Sequence, residues 1–532
     1  MSTKRITLNV AATFTQTFVS VVIGLFCSRW VYIALGETQF GLFSVVGSLI
    51  AFVAVLNQTL VESSGRFFAF ALGRQSQADA DKELVCKWFN TALSVQIVLP
   101  LVLILVGAPA GVYAIRNVLT IPAELRQPSI VIFGFSLLAL FAQMVFSPVQ
   151  ALYYAKQFIF VRNLFGIVNA LLFAAEGWWL LHYGGNRLIA HAAITTALML
   201  SMNALLGAFA AWQFPEARIR PRYWFDGKRI KEMFSFSSFL LIGTLGGLFS
   251  NSGVALVLNK FFGPAANAAL GIGTQVFNKS TVVAHAVNQA AAPELTARVG
   301  ADRFEHAKRM GVRICVYSTS LALLIAAPFV VFADSVLTLW LKEPPQYATQ
   351  ISVIMMMNLL AERFTSGYMM LVHATGRIKL YTTCLGIGNG ARCLLVLLLL
   401  LKGVPLIPTL WLGWFLPFLI LNQMRVWFAQ QAIGVSLREY FQIVFAPLAL
   451  IGAGSFAFCF GFKALAGDAI WAVLAGSAAN AGVVAALLWL LMGAAERQVL
   501  RAKLASAWSR FAAGRSPETP DEATSRLPRS SD

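Results

Sequence analysis

Residues Cys27–Gly73 read CSRWVYIALGETQFGLFSVVGSLIAFVAVLNQTLVESSGRFFAFALG. Two apolar runs flank the turn LGETQFG at Leu35–Gly41. Each is about 20 residues long, the length a helix needs to cross ~30 Å of hydrocarbon. The runs are continuous, without a period of two, which excludes a transmembrane β-barrel. Similar runs recur along the chain. Of its 532 residues 58% are hydrophobic and 12% charged, and the mean hydropathy is +0.71; a soluble domain carries about 25% charged residues. The fold class expected is an all-α integral membrane protein of about fourteen transmembrane helices. The first run continues past Phe26 without a small-residue cleavage site, so it reads as a retained helix and not as a signal peptide.

The net charge of +18 is distributed as a topology signal. The connections 109–128, 183–188 and 334–349 are poor in Lys and Arg. The segments 73–87, 214–233, 293–313 and 374–380 are basic, 214–233 alone holding six Lys/Arg. Excess Lys and Arg marks cytoplasmic loops, which puts both termini in the cytoplasm of a multi-pass protein. The same basic residues can meet anionic lipid headgroups; a nucleic-acid partner is not expected. The six cysteines form no CxxC pair, so no metal site or disulfide framework is expected.

An internal repeat of six helices is also legible. Gly36 and Gly263 stand 227 residues apart in comparable turns, and Gly73 and Gly300 repeat that spacing. IPAELRQPSIVI has a counterpart in EPPQYATQISVI, and YYAKQFIFVRN in HATGRIKLYTT. An even helix count keeps two copies parallel, an arrangement that places a site between the halves. The expected organisation is an N-terminal six-helix lobe at 1–213, a basic cytoplasmic linker at 214–233, a C-terminal six-helix lobe at 234–432, helices 13 and 14 at 433–495, and a basic cytoplasmic tail at 496–532. The tail holds a short amphipathic stretch, Glu496–Phe511, and a Pro/Ser-rich end expected to be disordered.

A charge at bilayer depth costs at least about 2.5–3.5 kcal/mol, so intramembrane charges mark candidate sites. Lys260, Arg392 and Arg363 lie near span ends, where a long side chain can snorkel to the interface. Arg29, Arg66 and Lys279 lie deeper. Glu62 and Arg66 share a helix face and either neutralise each other or border a wet cavity. Asn57 and Gln58, Asn251 and Ser252, and the series Gln275, Asn278, His285, Asn288 and Gln289 add polar faces to the helices that open each repeat. A cavity lined by Arg29, Arg66 and Lys279, with Glu62, Asn57, Asn251, Gln275, Asn278 and Asn288 around it, would be electropositive. Its natural ligand carries phosphate. No GxSxG, HExxH or Walker motif is present; the chain reads as a non-enzyme that needs no cofactor. Glu176 is a further intramembrane charge, and the five histidines are dispersed. Of these, His285 and His373 read as satisfied core residues, with a proton relay as the alternative.

The stretch opening this section resembles the start of bacterial polysaccharide-export flippases, the O-antigen and exopolysaccharide flippases of the multidrug/oligosaccharidyl-lipid/polysaccharide exporter superfamily. That family has an arginine in helix one, an ALG-x-x-x-[FY]-G turn, and a serine-rich stretch ending in arginine before Leu-Gly. Arg29, Gly36, Gly41, Arg66 and Gly73 stand at those places. IPAELRQ, FFGPAANAALGIGTQV, TLWLKEPPQYA, HATGRIKLY and GAAERQVL are similar as well. The resemblance implies export of undecaprenyl-diphosphate-linked oligosaccharide across a bacterial inner membrane by alternating access, for O-antigen or exopolysaccharide (lipopolysaccharide) biosynthesis. It implies membrane lipids and a glycan polymerase or ligase as partners. A multidrug/cation antiporter of the same superfamily, or a non-transporting scaffold of a glycan-assembly complex, are the alternative readings.

Overall fold

The computed structural model describes residues 3–74, 83–156, 158–375, 379–491 and 497–498. The stretch Glu496–Phe511 and the C-terminal tail lie almost wholly outside the described residues. The described residues are almost entirely helical, with no strand among them. The helices of the first half are α1 (Thr3–Arg74), α2 (Leu84–Asn117), α3 (Ala123–Val145), α4 (Ser147–Ala155), α5 (Ile159–His182) and α6 (Arg187–Gln213). Those of the second are α7 (Gly227–Leu248), α8 (Val254–Gly300), α9 (Phe304–Val331), α10 (Ala333–Leu341), α11 (Ala348–Arg363), α12 (Ser366–Ala374) and α13 (Lys379–Leu401). Then follow α14 (Leu406–Thr409), α15 (Leu416–Ile433), α16 (Leu437–Glu439), α17 (Ala446–Ala466) and α18 (Ile470–Leu491). Ten helical stretches among the described residues are long and apolar enough to span a membrane. The more polar passes of the folded α1 and α8, with α7 and with α11–α12, bring the bundle to the fourteen helices expected. Large apolar side chains such as Leu105 and Trp212 point outward, as a lipid-facing surface requires.

Two glycines turn long helices into antiparallel pairs. Gly36 has φ 72° and ψ 173°, and Gly263 has φ 72° and ψ −166°. Only glycine takes this backbone conformation without strain. The two bends pack on each other: a Cβ on Gly41 would lie 2.0 Å from the Pro264 carbonyl oxygen, so the second segment of α1 touches the backbone that begins the second segment of α8. The fourth pass is broken in both halves, at Phe146 between α3 and α4 and at Phe364–Thr365 between α11 and α12. The 227-residue spacing of Gly36 and Gly263 thus coincides with one backbone device used twice.

The segment between the halves is strapped to α2. Asn90 Nδ2 donates to the Arg218 carbonyl at 3.0 Å, and Arg220 N donates to Asn90 Oδ1 at 2.6 Å. Thr91 Oγ1 donates to the Tyr223 carbonyl at 2.8 Å, and Ser94 Oγ donates to that of Trp224. Glu83 accepts from Tyr223 and Arg220, and from Arg222 at 3.1 Å. These donors hold its carboxyl down at about 2, the Tyr223 hydroxyl contributing most and Arg220 next.

Candidate functional site

A cavity of about 720 Å³ lies where the first half meets the opening helices of the second. The first segment of α1 contributes Gln16, Ser20, Gly24, Cys27 and Ser28, and its second segment Phe40, Phe43, Ser44 and Ser48. α5 adds Asn169 and Phe173, and α6 adds His191. The second half supplies Asn251 and Ser252, Leu270, Thr274 and Gln275. Asn251 and Ser252 reach the cavity from a π-helical turn, Phe249–Gly253, that widens the run between α7 and α8. Such turns redirect side chains that a regular helix would carry past the site. Hydroxyls, carboxamides and aromatic rings are set into a wall whose surface is mostly apolar. Among the described residues no carboxylate, lysine or arginine lines it.

The three expected cations do not converge on this lining. Lys279 comes nearest. Its ammonium lies against Ser20 and Gly24, donating to the Ser20 carbonyl at 3.4 Å, and a Cβ on Gly24 would sit 2.6 Å from Nζ. It stands behind the cavity wall and links α8 to α1. Arg29 donates to the Leu339 carbonyl at 2.6 Å, on α10, away from the cavity. Arg66 is exposed, on the second segment of α1. The side chain of Glu62, and so its pairing with Arg66, lies outside the described residues, as does the side chain of Gln289. Asn251 and Gln275 line the cavity. Asn57 and Asn288 are buried elsewhere with unpartnered side-chain oxygens, and Asn278 is exposed.

Among the described residues, most of the hydrogen bonds that join the two halves gather at the Gly36–Gly263 end. Besides Arg29, Trp340 Nε1 donates to the Leu25 carbonyl at 2.9 Å and the Tyr32 hydroxyl to that of Glu343 at 2.8 Å. Gln346 N donates to Glu37 Oε1 at 3.1 Å, and Thr120 N to Asn259 Oδ1 at 2.9 Å. This end of the cavity is shut by contacts that tie α1 to α10 and to the chain following it. Sequence reasoning gave Arg29 to the ligand; the fold gives it to the seal. A chain turning back at Gly36 beside α10 could not be read from composition or spacing.

Two clusters of titratable side chains are buried in the bundle, one of them at the cavity. Glu176 Oε1 lies 2.8 Å from His191 Nδ1, with side-chain exposures of 2% and 8%. His191 packs its ring on Phe43 at 4.7 Å and lines the cavity, so the pair reaches the cavity through the imidazole. The second cluster lies wholly in the C-terminal half. Arg363 has 0% exposure and pairs with Glu362 at 2.8 Å; its Nη2 lies 3.4 Å from His285 Nε2. Arg425 is 7% exposed and donates to the Glu362 carbonyl at 3.3 Å. Arg363 does not snorkel, because α8 and α15 supply its polar surroundings in the interior. Arg392 is also buried, donating through Nε to the Trp414 carbonyl at 2.8 Å and through Nη1 to Asn389 Oδ1 at 3.0 Å. Lys260 alone of the three expected snorkelling residues is exposed. Arg425 escaped sequence reasoning because its span looks like an ordinary interfacial end.

Residues 244–398 match the MatE family model. No curated protein matches the chain. The fold is similar to that of the lipid II flippase MurJ in an inward closed conformation, with TM-score 0.59 and 10% identity over 91% of this chain and 98% of that one. It is similar to MATE in complex with MaL6, with TM-score 0.57 and 14% identity over 81% and 99%. A MOP superfamily transporter from Pyrococcus furiosus gives TM-score 0.54 and 14% identity over 81% and 94%. The chain therefore has the multi-pass helical membrane fold of MATE transporters and of MurJ.

Proposed function

We propose that the protein turns a polyprenyl-diphosphate-linked oligosaccharide from the cytoplasmic to the periplasmic leaflet of a bacterial inner membrane, by alternating access and without an enzymatic step. The cavity lining carries this reading. Hydroxyls and carboxamides with aromatic rings, and no carboxylate among the described residues, suit sugars and do not suit cationic drugs. Lys279 behind the wall is the nearest cation to a diphosphate, a short shift of its flexible stem away. The seal at the Gly36–Gly263 end faces the periplasm if the basic segments face the cytoplasm, which makes this an inward-facing state. The likeness to a lipid II flippase over nearly the whole chain supports the same reading. Both termini are then cytoplasmic, and a glycan polymerase or ligase takes the product.

A multidrug antiporter is the second reading, favoured by the MATE likeness and by Glu176 directly behind His191. A deletion strain separates the two. Lipid-linked repeat units accumulating in the inner leaflet, with surface glycan lost and restored by the wild-type gene, is the expected result. Normal surface glycan with raised drug sensitivity would end the flippase proposal. A scaffold role predicts that Lys279→Ala restores surface glycan in full; a flippase variant with this change, present at normal level, restores little.

A further inference from the structure

A second pocket of about 220 Å³ opens beside the main cavity, at the end where α5 begins and α6 finishes. It shares Gln16, Gly166 and Asn169 with the cavity. Its remaining polar wall comes from Gln143 and Gln150 on α3 and α4, Arg162 and Asn163 on α5, and Asn203 on α6. Carboxamides thus meet from α1, α3–α4, α5 and α6, and among the described residues no carboxylate lines the pocket. Concentrating amides inside an apolar bundle is costly unless they meet polar partners. Their own bonds only partly meet that need. Gln150 Nε2 reaches Asn203 Oδ1 at a long 3.4 Å, Asn203 Nδ2 donates to the Met199 carbonyl at 2.8 Å, and Asn169 Oδ1 has no partner.

We infer that this pocket recognises one sugar ring of the lipid-linked headgroup. The inference rests on the proposed function and deepens it. A carboxamide offers a donor and an acceptor side by side, the pairing that adjacent hydroxyls or an acetamido group present. Phe165 supplies an apolar face for the ring's C–H groups. Arg162 Cζ lies 4.6 Å from the centroid of the Tyr154 ring, a contact that holds a planar donor in the pocket wall. The volume suits one ring and not a chain, so further sugars extend past Gln16 and Asn169 into the larger cavity.

The test uses purified protein in nanodiscs and two radiolabelled probes: undecaprenyl diphosphate, and undecaprenyl diphosphate carrying one N-acetylglucosamine. The sugar should tighten binding to the wild type about tenfold, the worth of one or two net hydrogen bonds. The double variant Gln143→Leu, Asn203→Leu should lose that gain while its affinity for the bare diphosphate stays within about twofold. If the double variant does not fold, Gln143→Leu alone carries the test, with about a threefold loss of the gain. Equal wild-type affinity for both probes, or a gain that survives the variants, overturns the inference and leaves the flippase reading standing. Failure of both probes to bind overturns both.

Discussion

The two halves of the chain bend their backbone alike and bury their charges differently. Gly36 and Gly263 adopt one glycine-only conformation, and each folds a long helix back beside the other's. In the N-terminal half Glu176 meets His191 one to one, and the imidazole touches the cavity. In the C-terminal half the buried Arg363 pairs with the Glu362 carboxylate, and the buried Arg425 donates to the Glu362 backbone carbonyl, within the packing of α8, α11 and α15. Bends must be equivalent for two parallel bundles to face each other. Nothing requires the bundles to hold the same charges. The cluster at Glu362 belongs to one half's internal cohesion, whereas the Glu176–His191 pair belongs to the wall between the halves.

The largest effect should come from Glu362→Gln. It leaves the buried Arg363 guanidinium without its counter-charge, a loss of about 3–5 kcal/mol when one partner of a buried pair is removed. Thermal unfolding in detergent reads it, and a variant as stable as the wild type would erase the contrast between the halves. Next come Gly36→Ala and Gly263→Ala. Neither added Cβ meets an atom within 4 Å, so the cost is backbone strain alone, about 1–3 kcal/mol each. Equal losses would sharpen the backbone equivalence, and a clear inequality would break it. Glu176→Gln keeps a hydrogen bond to His191 and removes the charge, so stability should fall by only about 1 kcal/mol. A loss as large as that at Glu362 would remove the contrast between the halves.

The smallest effect concerns the strap between the halves. Glu83 has its carboxyl held at about 2, below its ordinary value of 4.5. A depressed carboxyl contributes stability that is fully present above the unfolded value and is lost as pH falls through the folded one. Protection from hydrogen exchange across 214–226, taken relative to the intrinsic rate at each pH, should therefore fall between about pH 4.5 and about pH 2, and Glu83→Gln should show lowered protection already at neutral pH. Protection that is indifferent to this substitution would show that Asn90, Thr91 and Ser94 hold the strap without Glu83.

The apolar runs made the helical membrane fold legible, because a helix crossing hydrocarbon needs a continuous stretch of fixed length. The glycine spacing made the paired bends legible, because few residues tolerate that conformation. Asn251 and Gln275 were legible as cavity residues, since polar side chains among apolar ones have few other places to go. The fate of each charge was not. Arg29, Arg66, Arg363 and Lys279 look alike along the chain: each is a cation in an apolar run. One seals α1 to α10, one is exposed, one is wholly buried beside Glu362, and one stands behind the cavity wall. From the order of residues it follows that each charge is costly at bilayer depth and must find a partner or a wet surface. Only the tertiary structure decided which, because a buried cation's role is set by the atoms within about 4 Å of it, and here those atoms come from helices up to 310 residues away.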